Sequence, residues 1–213
     1  MIKKLEIERN PFIGAFGITN EKITFLSTGF TEKKKKIVKD TLNTEIFSIT
    51  IARTNIIGIL GAGNSNGLLL PYNVEEYELR KLKDLDIKIE VLKTKFTALG
   101  NMILCNDKGA IVSSRLKKEA FKIEDALGVE VYVSDPLNFG SMGLCTNNGC
   151  LVHPSLSDKI DELEKALKVE VDTGSANRGF YYLGLCALAN TKGAVVGETS
   201  TGPEINKIED IMF

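Results

Sequence analysis

Short segments with alternating apolar and polar residues recur along the chain at a nearly constant spacing. They cover residues 5–7, 47–51, 87–91, 129–133 and 169–171. Their central apolar residues are Ile7, Ile49, Ile89, Val131 and Val171, which follow one another at steps of 42, 40, 42 and 40 residues. Alternation with a period of two predicts half-buried β-strands, and a fixed period of about 40 residues predicts an array of repeated supersecondary units.

Pairs of glycines with eight residues between them give a second, independent measure of the same period. The pairs are Gly58 and Gly67, Gly100 and Gly109, Gly140 and Gly149, and Gly184 and Gly193. Three residues before the second glycine stands Asn64, Asn106, Thr146 or Asn190, and an apolar run follows it. Residues 14–22 form a shortened fifth copy with Thr19 in the asparagine position. The frame predicts one β-hairpin per repeat, with asparagine and glycine supplying positive φ in the turn.

Amphipathic helical segments follow the hairpins. Leu116, Ala120, Ile123 and Leu127 share one helical face, and so do Leu156, Ile160, Leu163 and Leu167. Three helix starts carry capping signals, in which a side-chain oxygen can bind first-turn amides: Asn73 with Glu76, Ser155 with Asp158, and Thr201 with Glu204. Each repeat is therefore predicted to contain a strand, a hairpin and a helix.

The predicted fold is an α/β closed ring of five strand-hairpin-helix repeats with pseudo-five-fold symmetry, with sheets towards the axis and helices outside. One repeat is too small to bury its own apolar surface, and an open row would leave two unprotected ends. We expect a single domain over residues 1–213, built of repeats at approximately 1–44, 45–84, 85–127, 128–167 and 168–213.

Composition and charge exclude several classes of protein. With 43% apolar and 26% charged residues, the chain is typical of a globular protein. No apolar stretch approaches the ~20 residues of a membrane span, and the first residues lack the apolar region of a signal peptide, so a cytoplasmic protein without membrane contact is expected. A formal net charge of −1 argues against DNA binding, and we interpret the run Lys33–Lys36 as a solvated helix face.

Most candidate catalytic and cofactor motifs lack a necessary part. The segment from Gly61 to Gly67 resembles a phosphate-binding loop, but it precedes a strand where such a loop must open a helix. Cys105, Cys145, Cys150 and Cys186 have no metal-ligand spacing, and we interpret them as core residues. No cofactor or metal is expected. One enzyme hypothesis stays open: a pentein-type Cys/His enzyme acting on a guanidine-containing small molecule, although His153 has no acid beside it.

Asparagines stand near the start of each predicted hairpin: Asn10, Asn55, Asn101, Asn138 and Asn177, the last followed by Arg178. Each one alone can be explained as a residue that satisfies loop backbone. A closed ring would instead gather their amides and the arginine on one face. Such a face can hydrogen-bond to protein or RNA backbone without a large net charge.

The sequence resembles the archaeal branch of the translation initiation factor 6 family, the ribosome anti-association factors. The resemblance is carried by residues 10–16, 57–71, 98–107, 168–171 and 176–179, which fall across all five repeats. It implies a monomeric, non-enzymatic, pentein-like ring that binds the large ribosomal subunit at the inter-subunit factor-binding region. There it would contact a ribosomal protein and adjacent ribosomal RNA, prevent the small subunit from joining, and act in large-subunit biogenesis. From the family pattern the contact face is expected around Gly14, Asn64 and Asn101.

Overall fold

The computed structural model describes residues 1–213, and its strands form five separate three-stranded sheets. The strands are β1 (Ile2–Leu5), β2 (Gly17–Thr19), β3 (Ile23–Ser27), β4 (Glu45–Ile49), β5 (Ala62–Gly63), β6 (Gly67–Pro71), β7 (Lys88–Leu92), β8 (Ile103–Cys105), β9 (Ala110–Ser113), β10 (Val131–Ser134), β11 (Gly143–Cys145), β12 (Gly149–Val152), β13 (Glu170–Thr173), β14 (Ala187–Asn190) and β15 (Gly193–Gly197). The α-helices are α1 (Glu32–Leu42), α2 (Ile57–Leu60), α3 (Glu76–Arg80), α4 (Leu99–Met102), α5 (Ala120–Leu127), α6 (Phe139–Met142), α7 (Ile160–Leu167), α8 (Leu183–Cys186) and α9 (Gly202–Met212). Shorter 3-10 helices cover Ile13–Phe16, Ser114–Glu119 and Pro154–Lys159. No helix has both the length and the apolar character needed to cross a membrane.

Each sheet combines one antiparallel hairpin with a third strand parallel to the second hairpin strand. In chain order the sheets are β2-β3-β4, β5-β6-β7, β8-β9-β10, β11-β12-β13 and β14-β15-β1. In the fifth sheet the third strand is the N-terminal one, with Ile2 opposite Ala194 and Leu5 opposite Gly197. The first and last segments of the chain therefore meet in one sheet. This closes the ring and confirms the predicted α/β fold.

The third strand of each sheet differs from the sequence-based expectation. We expected each alternating strand to share a sheet with the hairpin that follows it, but β4 pairs with β3 and β7 pairs with β6, in the preceding hairpins. A helix returns the chain to the same end of the sheet, so the next strand adds in parallel beside the strand it left. The repeat boundaries stay a prediction, because the ring can be divided on either side of this strand.

Five glycines surround the ring axis, each inside a short helical turn that precedes a hairpin: Gly14, Gly58, Gly100, Gly140 and Gly184. A Cβ on Gly100 would lie 2.0 Å from the carbonyl oxygen of Gly58, and a Cβ on Gly58 would lie 2.0 Å from that of Gly14. The same approach continues until Gly14 faces Gly184, at 2.2 Å. The contacts form a complete circle, which no larger residue could join without displacing backbone.

The second glycine of each frame has a different role from the predicted one. None of the hairpin turns contains a residue with positive φ. The glycines are needed because the helix of the next repeat ends against them: a Cβ on Gly67 would lie 2.1 Å from the carbonyl oxygen of Ala126, and one on Gly109 would lie 1.9 Å from that of Ala166. The constant spacing of the paired glycines in four repeats thus results from close packing between neighbouring repeats.

Asparagine side chains hold the hairpin turns. The Oδ1 atom of Asn64 accepts hydrogen bonds from the backbone amides of Asn66 (3.0 Å) and Gly67 (3.2 Å). In the shortened first copy this position belongs to Asn20, whose Oδ1 accepts from the amide of Ile23 at 2.8 Å. The assignment of Thr19 to that position is wrong, because the shorter hairpin moves its turn by one residue.

The helix caps agree with the sequence only in part. Thr201 and Glu204 form the predicted capping box at the start of α9. The cap of α3 is Glu75, paired with Glu78, so the prediction from Asn73 is wrong. The 3-10 helix after β12 begins before Ser155, which was the predicted cap. Pro154 occupies the first helical position, and His153 is the cap, with its Nδ1 atom accepting from the Ser155 amide at 3.0 Å.

The hydrophobic core consists of five clusters, and each draws on neighbouring repeats. In one cluster Leu116, Ile123 and Leu127 from the third repeat pack on Leu69 from the second. In the next, Leu163 and its neighbours on α7 pack with Ile111 of β9. The predicted apolar helix faces are therefore confirmed. Because no repeat buries its apolar residues alone, the repeats stabilise one another.

Candidate functional site

The ring has two different ends. Five linking loops, residues 6–12, 50–56, 93–98, 135–138 and 174–182, carry the chain from the third strand of one sheet to the glycine turn of the next repeat. Third strands run parallel to second hairpin strands, so all five loops lie at the end of the glycine turns. We call this end the loop face and the opposite end, formed by the hairpin turns, the turn face.

The structure brings most of the predicted site residues together. Asn10, Asn55, Asn138, Asn177 and Arg178 lie in linking loops, and Asn101 lies in the adjacent glycine turn α4. Gly14 and Asn64 lie away from this candidate surface. Gly14 is buried at the axis, and Asn64 lies on the turn face with only 2% of its surface exposed.

The amide of Asn64 belongs to a ladder of asparagines that links the repeats across the turn face. Asn190 donates to the carbonyl oxygen of Asn20 (3.1 Å), Asn20 to that of Asn64 (2.8 Å) and Asn64 to that of Asn106 (3.1 Å). Asn106 donates to the carbonyl oxygen of Thr146 (3.0 Å). The ladder stops there, because the side chain of Thr146 has no amide group that could donate to the next repeat. These side chains stabilise the ring by linking neighbouring repeats. They also occupy backbone carbonyl groups of the turn face, which are then not available to another molecule.

On the loop face, Asn101 and Asn138 line a cleft of about 310 Å³ together with Lys95, Phe96 and Arg115. The Oδ1 atom of Asn101 is buried and has no hydrogen-bond partner. Lys95 and Arg115 are exposed and take part in no ion pair. A buried acceptor without a partner is rare and unfavourable, and the exposed cations beside it offer donors to a ligand. The cleft therefore has the features of a binding site for polar groups of another molecule.

Three linking loops present an arginine from a left-handed turn. The φ angles are 51° and 64° at Glu8 and Arg9, 52° and 61° at Ala52 and Arg53, and 53° and 65° at Asn177 and Arg178. This conformation is uncommon for residues with a Cβ atom, and it persists only where the surroundings enforce it. The sequence interpretation found Arg178 and missed Arg9 and Arg53. One signal was present: Arg9 and Arg53 each stand five residues before a glycine of the axial ring.

Two of these turns are held by a buried carboxylate from a helix start. Glu78 is 3% exposed and accepts from the amides of Ala52 (2.9 Å) and Arg53 (3.0 Å). Glu204 is 9% exposed and accepts from the amides of Arg178 (3.2 Å) and Gly179 (2.7 Å). Burial alone would raise the pKa of both side chains, but the hydrogen bonds together outweigh it and lower the pKa below the ordinary 4.5. Both groups are therefore ionised at neutral pH.

An aromatic patch adjoins Arg178 in the last linking loop. The ring centroids of Phe12 and Phe180 are 4.8 Å apart, and those of Phe180 and Tyr182 are 5.7 Å apart. Tyr181 and Tyr182 are 46% and 40% exposed. Exposed tyrosines beside an arginine are the residue types that contribute most to the affinity of protein interfaces.

Comparison with known proteins identifies the lineage of this ring. A family model of the eIF-6 family matches residues 2–211. The chain belongs to the eIF-6 family. It is similar to the Translation initiation factor 6 of Pyrococcus furiosus, at 47% identity over 99% of this chain and 98% of the relative. It is also similar to the Translation initiation factor 6 of Methanocaldococcus jannaschii, at 41% identity over 95% and 93%. This eIF-6 family member thus has a translation initiation factor role and belongs to a family of non-enzymatic factors.

A solved structure of the C. jejuni agmatine deiminase is a weak structural match to this eIF-6 family member. The TM-score is 0.42 at 14% identity, and the alignment covers 57% of this chain and 49% of the deiminase. A likeness at this level carries no argument about fold or chemistry, which rest on the geometry described above.

The cysteines and the histidine of this eIF-6 family member do not form a nucleophile–base pair. His153 hydrogen-bonds to Ser155 and packs against Tyr181 and Tyr182, with no hydrogen bond to a thiol or carboxylate. Burial raises the pKa of the Cys105 thiol to about 12, with a further contribution from nearby Cys145. Burial also raises the pKa of the Cys186 thiol to about 12. These thiols are protonated at neutral pH and poorly nucleophilic.

We expect Cys105 and Cys186 to resist alkylation in the folded protein. A thiol with a pKa of about 12 has roughly one molecule in ten thousand as thiolate at pH 8. Mass spectrometry after iodoacetamide treatment should show slow modification of the native protein and rapid modification of all four cysteines in guanidinium chloride. Only Cys150 and Cys186 are buried in the core as predicted, whereas Cys105 and Cys145 are half-buried. Rapid modification of Cys186 in the native ring would contradict its assignment to the core.

Proposed function

We propose that this protein binds the large ribosomal subunit through its loop face and so prevents the small subunit from joining. The family relationship supports a ribosomal partner. The observation that carries the choice of face is the contrast between the two ends of the ring. The turn face is closed by hydrogen bonds among its own asparagines, whereas the loop face has a cleft with an unpartnered buried oxygen and two cations without ion pairs.

The proposed contacts on the loop face fall into two groups. Asn10 and Asn55 each use Oδ1 within the protein, accepting from the Phe12 amide (2.9 Å) and the Thr28 hydroxyl (2.8 Å), so their amide nitrogens remain free donors. Asn101 and Asn138 contribute through the cleft. The side-chain amide of Asn177 links two loops, because Nδ2 donates to the carbonyl oxygen of Pro11 in the first linking loop at 3.0 Å, and Asn177 is proposed to hold these loops together. Arg178 is exposed and makes the contact beside it.

The chemistry of the loop face suits a ribosomal protein at the inter-subunit factor-binding region, with ribosomal RNA as a neighbouring contact. Neutral amides, exposed tyrosines and a few separate cations recognise protein backbone and local phosphates. A chain with a net charge of −1 lacks the broad positive field that general nucleic-acid binding requires. An interface of roughly 800 Å² per partner would cover this end of a ring whose total accessible surface is 9391 Å². We further propose a cytoplasmic monomer that also occupies the subunit during its biogenesis.

Occupancy, not turnover, is the proposed mechanism, and light scattering can test it. Purified large and small subunits are mixed while the protein is titrated, with and without prior alkylation of the protein. We expect association to be suppressed in proportion to the bound fraction, with saturation near one equivalent and no effect of alkylation, because a blocker obeys mass action. Co-sedimentation with each subunit should place the protein on the large subunit. Inhibition by a few hundredths of an equivalent that grows with time would instead indicate an enzyme that modifies the ribosome.

A further inference from the structure

The two buried carboxylates of the loop face each carry out two structural tasks at once. Glu204 completes the capping box of α9, where Oε2 accepts from the Thr201 amide (2.7 Å) and hydroxyl (2.8 Å). The same carboxylate binds the left-handed turn, with Oε1 accepting from the Gly179 amide (2.7 Å) and the Ser175 hydroxyl (2.9 Å). The helix start and the arginine turn are therefore fixed to one another.

Glu78 repeats this arrangement in another part of the ring. It completes the capping box of α3 by accepting from the Glu75 amide at 2.9 Å, and it accepts from the Thr50 hydroxyl at 2.6 Å. It also accepts from the amides of Ala52 (2.9 Å) and Arg53 (3.0 Å) and from the Tyr77 hydroxyl (3.4 Å). In both sites one carboxylate binds a helix start, a hydroxyl and two consecutive amides of the arginine turn. The amides are those of Ala52 and Arg53 in one site and those of Arg178 and Gly179, one position later, in the other.

The first repeat provides an internal comparison. The turn that carries Arg9 has the same left-handed φ angles. Backbone hydrogen bonds close it, between Ile7 and Asn10 (2.8 and 2.9 Å), as they close the other two turns, between Ile51 and Thr54 and between Ala176 and Phe180. The residue at the corresponding position of its neighbouring helix α1, three after the cap Thr31, is Lys34. No carboxylate holds this turn, so any effect of removing Glu204 or Glu78 should leave Arg9 unchanged.

A carboxylate is the group that these sites require. Each one accepts at least four hydrogen bonds from amides and hydroxyls and has no donor of its own that would face them. Glutamine has the same shape but replaces one acceptor oxygen with an NH₂ group. That group would point at backbone N–H donors and leave them without partners.

We propose that Glu204 is a positioning residue, which holds Arg178 in a preformed orientation for the large-subunit contact. Glu78 holds the equivalent turn at Arg53, whose guanidinium pairs with Glu75 at 2.8 Å. This inference rests on the proposed function. The left-handed turn is unfavourable for residues with a Cβ atom, and the carboxylate adds hydrogen bonds to the backbone closure that all three turns share, so its removal makes the turn easier to open. An arginine on a relaxed loop must be ordered on binding, and that cost reduces affinity although the arginine itself is unchanged.

The first experiment requires no ribosome. Amide hydrogen exchange is compared between the wild-type protein, Glu204→Gln and the control Glu32→Gln, whose carboxylate is 88% exposed on α1. We expect the amides of Arg178 and Gly179 to exchange at least about tenfold faster in Glu204→Gln, because a charge-assisted hydrogen bond is lost. The turn of Arg9 should be unaffected, and Glu32→Gln should match the wild type. Unchanged protection at Arg178 and Gly179 would overturn the proposal.

The second experiment is a double-mutant cycle on binding to purified large subunits, with Glu204→Gln, Arg178→Ala and the double variant. We expect Glu204→Gln to weaken binding about tenfold and to have no further effect in the Arg178→Ala protein, because the carboxylate acts through the arginine. A merely structural role would give the same loss in both backgrounds and would overturn the proposal. If Glu204→Gln does not fold, Glu204→Asp, which keeps the charge and shortens the side chain, takes its place in the cycle. Absence of binding by the wild-type protein would overturn the proposed function itself, and the exchange result would still decide whether the carboxylate holds the turn.

Discussion

Replacing Gly100 with alanine is expected to destabilise the ring by about 3 kcal/mol or more. The new Cβ would lie 2.0 Å from the carbonyl oxygen of Gly58 and 2.5 Å from that of Gly61. Both are backbone atoms, so no side-chain rotation can relieve the overlap, and overpacking of this kind costs several kcal/mol. The displaced backbone belongs to the neighbouring repeat, whose own glycine contacts the next one. Urea unfolding followed by circular dichroism would measure the loss in the free energy of unfolding.

The matched control for this change is Gly202→Ala. Gly202 stands at the start of α9, and a Cβ there would meet no atom within 4 Å. Alanine should change the free energy of unfolding by no more than about 0.5 kcal/mol, and the higher helix propensity favours a small gain. If Gly100→Ala were as stable as Gly202→Ala, the axial glycines would not be in the close contact that the structure shows.

Replacing Asn101 with aspartate is expected to weaken binding to the large subunit by about 2 kcal/mol, or roughly thirtyfold, while the ring stays folded. Asn101 shares its cleft with Lys95 and Arg115, whose positive charges favour the new carboxylate and limit the loss of stability. The substitution removes the Asn101 amide donor and adds a charge that the partner would have to bury. Co-sedimentation at several protein concentrations would give the change in affinity.

The same substitution on the opposite end of the ring provides the control. Asn148 is exposed on the turn face and donates to the carbonyl oxygen of Met212 at 3.3 Å. We expect Asn148→Asp to leave subunit binding unchanged, since it adds an identical charge far from the loop face. A loss of affinity in Asn148→Asp but not in Asn101→Asp would move the proposed contact to the turn face.

The repeats, the hairpins and the apolar helix faces could be predicted because local patterns determine them. Ile123 and Leu127 had to share a face, and Gly58 and Gly100 had to be equivalent, whatever the detailed packing. The partner of each third strand could not be predicted in this way. A strand such as β4 lies between two hairpins in the sequence, and its pairing with β3 depends on the path of the helix between them.

The sequence predicted that the asparagines of the candidate site lie in turns and loops. It did not predict which groups their side chains contact. Asn64 and Asn101 look alike in the sequence, yet the amide of one bridges two repeats and the oxygen of the other lacks a partner. The turn at Arg53 had no turn-forming residue to reveal it. The carboxylate that holds it, Glu78, is 25 residues away in the chain and becomes its neighbour only in the folded protein.

The ring of glycines is five-fold symmetric and the linking loops are not, and this difference limits the orientations in which the protein can bind a partner. The axial contacts repeat almost unchanged around the circle, at 2.0 to 2.2 Å. The loops repeat only in part: three share the left-handed arginine turn, but one of them also carries tyrosines, another loop carries Lys95 and Phe96, and the remaining one carries Asp135, which pairs with Lys159 at 2.7 Å. A rotation by one fifth of a turn would leave the body unchanged but would place an acid where an arginine or an aromatic ring had been. Of the five orientations that the scaffold alone would permit, an asymmetric partner can therefore accept one.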